Sequence, residues 1–355
     1  MQKEVPLQTT NADPRMSLPK PRRIRVVYLC IAFHALTQAC FCKRAISAVV
    51  LCLLFAGSHI AVAQPQTAKQ KVIIDTDAGD DIDDAFALAL ALRSPELQIL
   101  QINSAYGDTH LRAKLLDRFL HDAGGLHIPL AQGIPTSSKG SFTQRRYAEQ
   151  QAEPSSPYPD AVATTLDRIR KSPGEITLIA IGPLSNIGAM IDRDPAAFRK
   201  LKRVVMMGGS IRRSYNDLGY EPDHGPEAEW NIKCDIASAR KLFASGVPIF
   251  MMPLDATQLK LDEVKRQILF RHGSRLTDQL AILYQQWGAQ TPTLFDAMTV
   301  AYAVEPSLCP ATPMPLRIDD RGMTLHGAGK PNVQVCLNSS SDDFFHFYLR
   351  RLLAR

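Results

Sequence analysis

From Lys71 onward, short apolar runs alternate with longer stretches in which apolar residues recur every three or four positions. The runs have the length of buried strands, and the stretches carry the period of helices packed on one face. This pattern predicts strands over about 71–77, 97–105, 128–132, 175–181, 203–208 and 247–252. Helices are predicted near 83–93, 110–123, 160–171, 184–192, 235–245 and 275–288, with one more near 296–304. Regular alternation of the two implies a single Rossmann-like α/β domain, a mostly parallel sheet with flanking helices. No Pro/Gly/Ser-rich linker interrupts the series, whereas 133–159 and 210–228 are long polar loops dotted with Gly, Pro and Tyr. Loops of that length tend to cover sites. Ligands of open parallel sheets bind beyond the carboxyl ends of the strands, so residues that directly follow strands are the candidates for chemistry.

The first 63 residues depart from the pattern. Lys43-Arg44 precede the apolar run Ala45 to Ala56, and Ala61-Val62-Ala63 follow. A charged segment, a short apolar core and small residues form the grammar of a secretory signal. Gly57-Ser58-His59 cuts the run below the ~18–20 residues that a membrane span needs. The expectation is an exported protein, periplasmic or secreted, cleaved near Ala63 and without a stable membrane span in its mature form, with 64–355 as its body. A second apolar stretch, Val26 to Cys42, leaves the true start codon open.

Charge and composition narrow the classes. With 355 residues, 45% hydrophobic and 21% charged, the chain can bury a large core. The net +6 resides entirely in the leader, where eight Lys/Arg face two acids, and the body is balanced. A balanced body excludes electrostatic capture of nucleic acid. Four of the seven cysteines also fall in the leader, leaving Cys234, Cys309 and Cys336. Three scattered cysteines make no metal site and at most one disulfide, and buried free thiols are equally open.

The segment from Asp75 to Asp84 holds six carboxylates in ten residues (Asp75, Asp77, Asp80, Asp81, Asp83, Asp84), between an apolar strand and an apolar helix. Their mutual repulsion in a crevice demands protonation, solvent or a cation. Oxygen-only ligands point to a hard ion, Ca²⁺ or Mg²⁺. Capping of the following helix explains one or two of the six at most. Two chemistries fit a strand-end Asp-x-Asp. In haloacid-dehalogenase-like phosphatases the first Asp attacks phosphorus, and in the alternative a carboxylate deprotonates a metal-held water.

Four separated motifs together resemble the nucleoside hydrolases of the inosine/uridine-preferring superfamily. These are Asp75-Thr76-Asp77-Ala78-Gly79 with Asp83-Asp84-Ala85; Ile181-Gly182-Pro183-Leu184-Ser185-Asn186; Met207-Gly208-Gly209 with Glu229-Trp230-Asn231; and Asp296-Ala297-Met298. The resemblance spans roughly 71–305 and implies a Ca²⁺-dependent enzyme that hydrolyses the N-glycosidic bond of a small-molecule nucleoside. It implies Ca²⁺ held by Asp77, Asp84, Asp296 and the Ile181 carbonyl, with Asp77 the general base. Asp75 and Asp81 stand behind these ligands, and Asp83, Met207, Glu229 and Asn231 contact substrate. The first motif is two residues longer than the family's, so Asp81 and Asp83 compete for one position. Family members are often dimers or tetramers, so a homo-oligomer is open.

Two departures bear on the substrate. Phe295 stands where purine-active members carry a histidine acid, and Gly107-Asp108 replaces Gly-Asn, which makes Asp108 a candidate substrate contact or base helper. Leaving-group protonation would then fall to His224, Tyr215, Tyr220, Tyr284 or Trp287, with His224 the foremost candidate, or the base must leave without a proton donor. A secreted nucleoside receptor that has lost catalysis is the non-enzymatic alternative that Phe295 keeps open, and the phosphatase is a third.

Overall fold

The computed structural model describes residues 68–137, 140–215 and 224–354, so the leader, the expected cleavage point near Ala63 and Tyr220 lie outside the described residues. The strands are β1 Gln70–Thr76, β2 Leu97–Ser104, β3 Leu130–Gln132, β4 Thr177–Ala180, β5 Arg203–Met207, β6 Ile249–Met252, β7 Ala311–Met314, β8 Leu316–Ile318, β9 Thr324–His326 and β10 Val333–Cys336. The longer helices are α1 Asp83–Leu92, α2 Thr109–Asp122, α3 Ala161–Lys171, α4 Ser185–Arg193, α5 Ile236–Ala244, α6 Glu263–Arg271, α7 Arg275–Trp287, α8 Phe295–Val304 and α9 Ser341–Leu352.

One eight-stranded sheet has the order β3-β2-β1-β4-β5-β6-β10-β7, and β8 pairs with β9 separately. All neighbours in the large sheet are parallel except β10 with β7. Side chains alternate across a strand, so β1 feeds two cores. Val72 and Ile74 join α1, α2, α8 and α9 on one face. Ile73 joins α3, α4 and α5 on the other. Burial on both faces explains why β1 reads as a continuous apolar run.

The chain moves outward from β1 through β2 to β3, then returns to the opposite side of β1 as β4. Strand order therefore reverses between β1 and β4, which opens a crevice at their carboxyl ends. Asp75 and Ile181 meet there, with the Ile181 amide donating to the Asp75 carbonyl at 2.8 Å. Strands β7 to β10 and helices α6 and α9 add to the predicted elements. Cys309 and Cys336 form a disulfide with a Cα–Cα distance of 5.5 Å, tying the end of the α8 connection to β10. Cys234 is free.

Candidate active site

A cleft of about 460 Å³ opens at this switch point, and eight carboxyl groups line it, Asp77, Asp83, Asp84, Glu229 and Asp296 among them. Asp83 and Asp84 are the first residues of α1, and Asp296 is the second of α8. Two helix N-termini thus converge on one point, where unpaired amides and dipoles favour negative charge. The acids do not cap their own helix, for α1 has no side-chain cap. Asp83 instead accepts from the Asp296 amide across the cleft at 3.2 Å. Asp84 accepts from the Thr76 hydroxyl.

Asp83, Asp84 and Asp296 are buried, and each brings a carboxylate oxygen within 4.8 Å of the others. Burial first, and then the charges of neighbouring carboxylates, push all three well above the ordinary carboxylate range. Burial raises Asp77 to about 7, opposed chiefly by the Arg112 guanidinium. Asp75 is also pushed up to about 7 by burial. One of its oxygens accepts from Asn186 at 3.0 Å, and the other is buried without a partner. Three clustered buried carboxylates and an orphaned oxygen are costly without compensation. An all-oxygen donor set of this charge fits a hard cation.

Gly182 packs directly against Asp77, because a Cβ there would meet the Asp77 Oδ1 at 2.8 Å. Glu229 is the N-cap of the short helix Trp230–Lys233 and accepts from the Asn231 and Ile232 amides at 2.8 and 3.1 Å. It also accepts from the Gly209 amide at 2.9 Å and the Tyr215 hydroxyl at 3.3 Å. These bonds fasten the Met207-Gly208-Gly209 turn to the Glu-Trp-Asn segment. Burial raises the Glu229 pKa against that backbone support. Asn231 donates to the Met207 carbonyl at 3.3 Å. Tyr215, Trp230, Trp287 and Phe295 supply aromatic lining. Tyr215 meets Phe295 edge-on with ring centroids 5.6 Å apart.

The structure thus brings Asp77, Asp81, Asp83, Asp84, Ile181, Met207, Glu229, Asn231 and Asp296 to one cleft, with Asp75 behind it. Between Asp81 and Asp83, it is Asp83 that joins Asp84 and Asp296, whereas Asp81 accepts from the adjacent Ile82 amide at 2.6 Å. Asp108 does not line the cleft. It is the N-cap of α2 and accepts from the Leu111 amide at 3.0 Å, the ordinary work of an Asp preceding a helix. His224 is exposed and is not among the lining residues. Of the other donor candidates, Tyr284 spends its hydroxyl on the Gln290 carbonyl at 2.8 Å, while Tyr215 and Trp287 reach the cleft. Three contributors give no signal in the residue pattern. Arg112 in α2 reaches under the acidic loop, and Thr143 and Gln144 donate to the carbonyls of Asp80 and Asp81 at 2.6 and 2.7 Å.

The family model described as inosine-uridine preferring nucleoside hydrolase matches residues 72–346. The pyrimidine-specific ribonucleoside hydrolase RihA of Citrobacter koseri is 29% identical over 318 residues, covering 79% of this chain and 97% of that protein. Uridine nucleosidase 1 of Arabidopsis thaliana is 30% identical over 278 residues, covering 72% of this chain and 80% of that one. Among solved structures, a plant nucleoside hydrolase, PpNRh1, superimposes with a TM-score of 0.68 at 26% identity, covering 81% of this chain and 99% of that one. A purine-preferring ribonucleoside hydrolase from Gardnerella vaginalis, 23% identical with a TM-score of 0.66, shares the fold over 80% of this chain and 98% of its own. With its strand order, its acidic cleft and a family match over most of its length, the chain belongs to the inosine-uridine preferring nucleoside hydrolase family and is an enzyme that hydrolyses the N-glycosidic bond of ribonucleosides.

Proposed function

We propose that the cleft works as a calcium-dependent ribohydrolase site in which Asp77 is the general base. The observation that carries this reading is the convergence of Asp83, Asp84 and Asp296, buried, with carboxylate oxygens within 4.8 Å of one another. Asp77, Asp84, Asp296 and the Ile181 carbonyl would hold the ion, and Asp83 would lie between it and the sugar. Calcium bound there would supply positive charge to grip the ribose hydroxyls and to polarise the attacking water.

The chain's own groups do the rest. Asp77 takes the proton from water as it attacks C1′, and the C1′–N bond breaks with its electron pair departing on the base. Glu229 and Asn231 bind sugar hydroxyls, beside Met207. Bond cleavage develops positive charge on the ribosyl ring, and the surplus of carboxylates around the cleft favours that charge over the neutral ground state. Tyr215, Trp230, Trp287 and Phe295 give the base an aromatic surface. Pyrimidine ribonucleosides are the substrates we put first, supported by the relatives in Citrobacter koseri and Arabidopsis thaliana whose names specify pyrimidine or uridine. Export is supported by the leader's signal grammar and by the Cys309–Cys336 disulfide, which suits an oxidising compartment. Among the described residues no helix is long and apolar enough to cross a membrane.

The test is release of free base and ribose from uridine, cytidine, inosine and an activated aryl riboside, with calcium and with chelator. Calcium-dependent cleavage is expected, with uridine or cytidine ahead of inosine. Replacing Asp77 by Asn should lower kcat by roughly 10²–10⁴-fold, the usual worth of a general base. Unchanged turnover in D77N would overturn the base assignment, and full activity in chelator would overturn the calcium dependence.

A further inference from the structure

Arg112 is the largest fully buried side chain among the described residues, with 1% of its surface exposed. It is the fourth residue of α2, at the helix end where the dipole disfavours a cation. Both terminal nitrogens of its guanidinium are turned toward the acidic loop. Nη1 donates to the main-chain carbonyls of Asp77 and, at 3.1 Å, Ala78. Nη2 donates to Asp80 Oδ2 at 3.0 Å, and Nε donates to the Tyr106 carbonyl at 2.7 Å. Phe142 lies against the guanidinium, its ring centroid 5.1 Å away. A buried guanidinium is expensive unless its fork is filled, and here four acceptors and a ring face fill it.

From this we infer that Arg112 is a positioning residue for the hydrolysis, holding the Asp77 main chain so that its carboxylate stands at the cleft. The inference rests on the role proposed above for Asp77. Asp80 and Asp81 form the extra length between Gly79 and the Asp83-Asp84 pair, and Asp80 supplies the anion that secures the other arm of the fork. The lengthened loop therefore adds a secondary anchor to an arginine whose main contacts are with backbone carbonyls. Arg112 acts through backbone carbonyls, and the pairing with Asp80 orients the fork.

The experiment compares Arg112→Met, Arg112→Lys and Asp80→Asn in the full chain. Read-outs are kcat and KM at saturating calcium, calcium affinity by titration of the chelator-stripped protein, and thermal unfolding. For R112M we expect kcat to fall about 10²-fold, the scale of a 1 Å misplacement. KM should stay within about threefold, and calcium should bind at least about tenfold more weakly. R112K keeps the charge but not the planar fork and should lose at least about tenfold in kcat, so a poorly folding R112M does not end the test. D80N, which leaves the carbonyl contacts in place, should lose less than about tenfold. Variants that melt earlier but keep wild-type kcat and calcium affinity per folded molecule would reduce Arg112 to structural support and overturn the inference. D80N as damaging as R112M would overturn the backbone route. If the parent chain cleaves no riboside, the Asp77 reading fails, and the calcium titrations still judge Arg112 by themselves.

Discussion

A methyl group at Gly182 would stand 2.8 Å from the Asp77 carboxylate oxygen and 2.9 Å from its amide nitrogen. One atom is backbone and the other ends a short, buried side chain, so Gly182→Ala must move Asp77 by a fraction of an ångström. The expected result is a loss of about 10²-fold in kcat with little change in thermal stability. Steady-state kinetics beside a thermal melt checks it, and wild-type kcat would show that the Asp77 position is not critical. At this scale the carboxylates of the cleft were legible, because six acids after an apolar strand admit few explanations. Asp108, read from the sequence as a candidate substrate contact or base helper, stands as the N-cap of α2, where it directly precedes the helix and bonds the third residue on. Arg112 was not legible. Three of its four partners, in Asp77, Ala78 and Asp80, lie 32 to 35 residues away, and only the folded loop brings them under the helix.

The elements that carry the acids impose a cost that depends on proton activity. Helices α1 and α8 drive Asp83, Asp84 and Asp296 together, and burial beside them raises Asp77 from 3.8 to about 7. A carboxyl whose folded pKa exceeds its unfolded one binds protons more tightly when folded. Its contribution to stability is complete below the unfolded value and is lost as pH rises through the folded one. The metal-free enzyme should therefore melt at progressively lower temperature between pH 5 and 7, and calcium should remove most of that slope. Calorimetry with chelator and with calcium tests this; a melting temperature that rises with pH in chelator would contradict it. The strands and helices predicted up to residue 304 coincide with observed elements, because the short strands among them sit inside longer buried apolar runs, whereas α6 was not predicted. Strands β7 to β10 have three or four residues each, and β7 reads Ala-Thr-Pro-Met, so their existence depends on distant partners rather than on pattern. Helix α9 is different, for Phe344, Phe345, Phe347, Tyr348 and Leu352 form an ordinary buried stripe that nothing physical hides.

Across the whole molecule, the Cys309–Cys336 bridge closes a segment with a sequence separation of 27 residues, all of it beyond the last cleft-lining helix. In the chain-entropy picture such a loop is worth about 3.5 kcal/mol. Cys309→Ser with Cys336→Ser should lower the melting temperature by several degrees while leaving kcat within about twofold, because the bridge anchors the far edge of the sheet. A large loss of kcat in a folded double variant would instead connect that edge to the cleft. The lining of the cleft has an optical consequence as well. The protein has two tryptophans, Trp230 and Trp287, and both line it. All tryptophan emission therefore originates at the site, and quenching or a spectral shift on adding calcium or a nucleoside would report occupancy directly, without a label and without turnover.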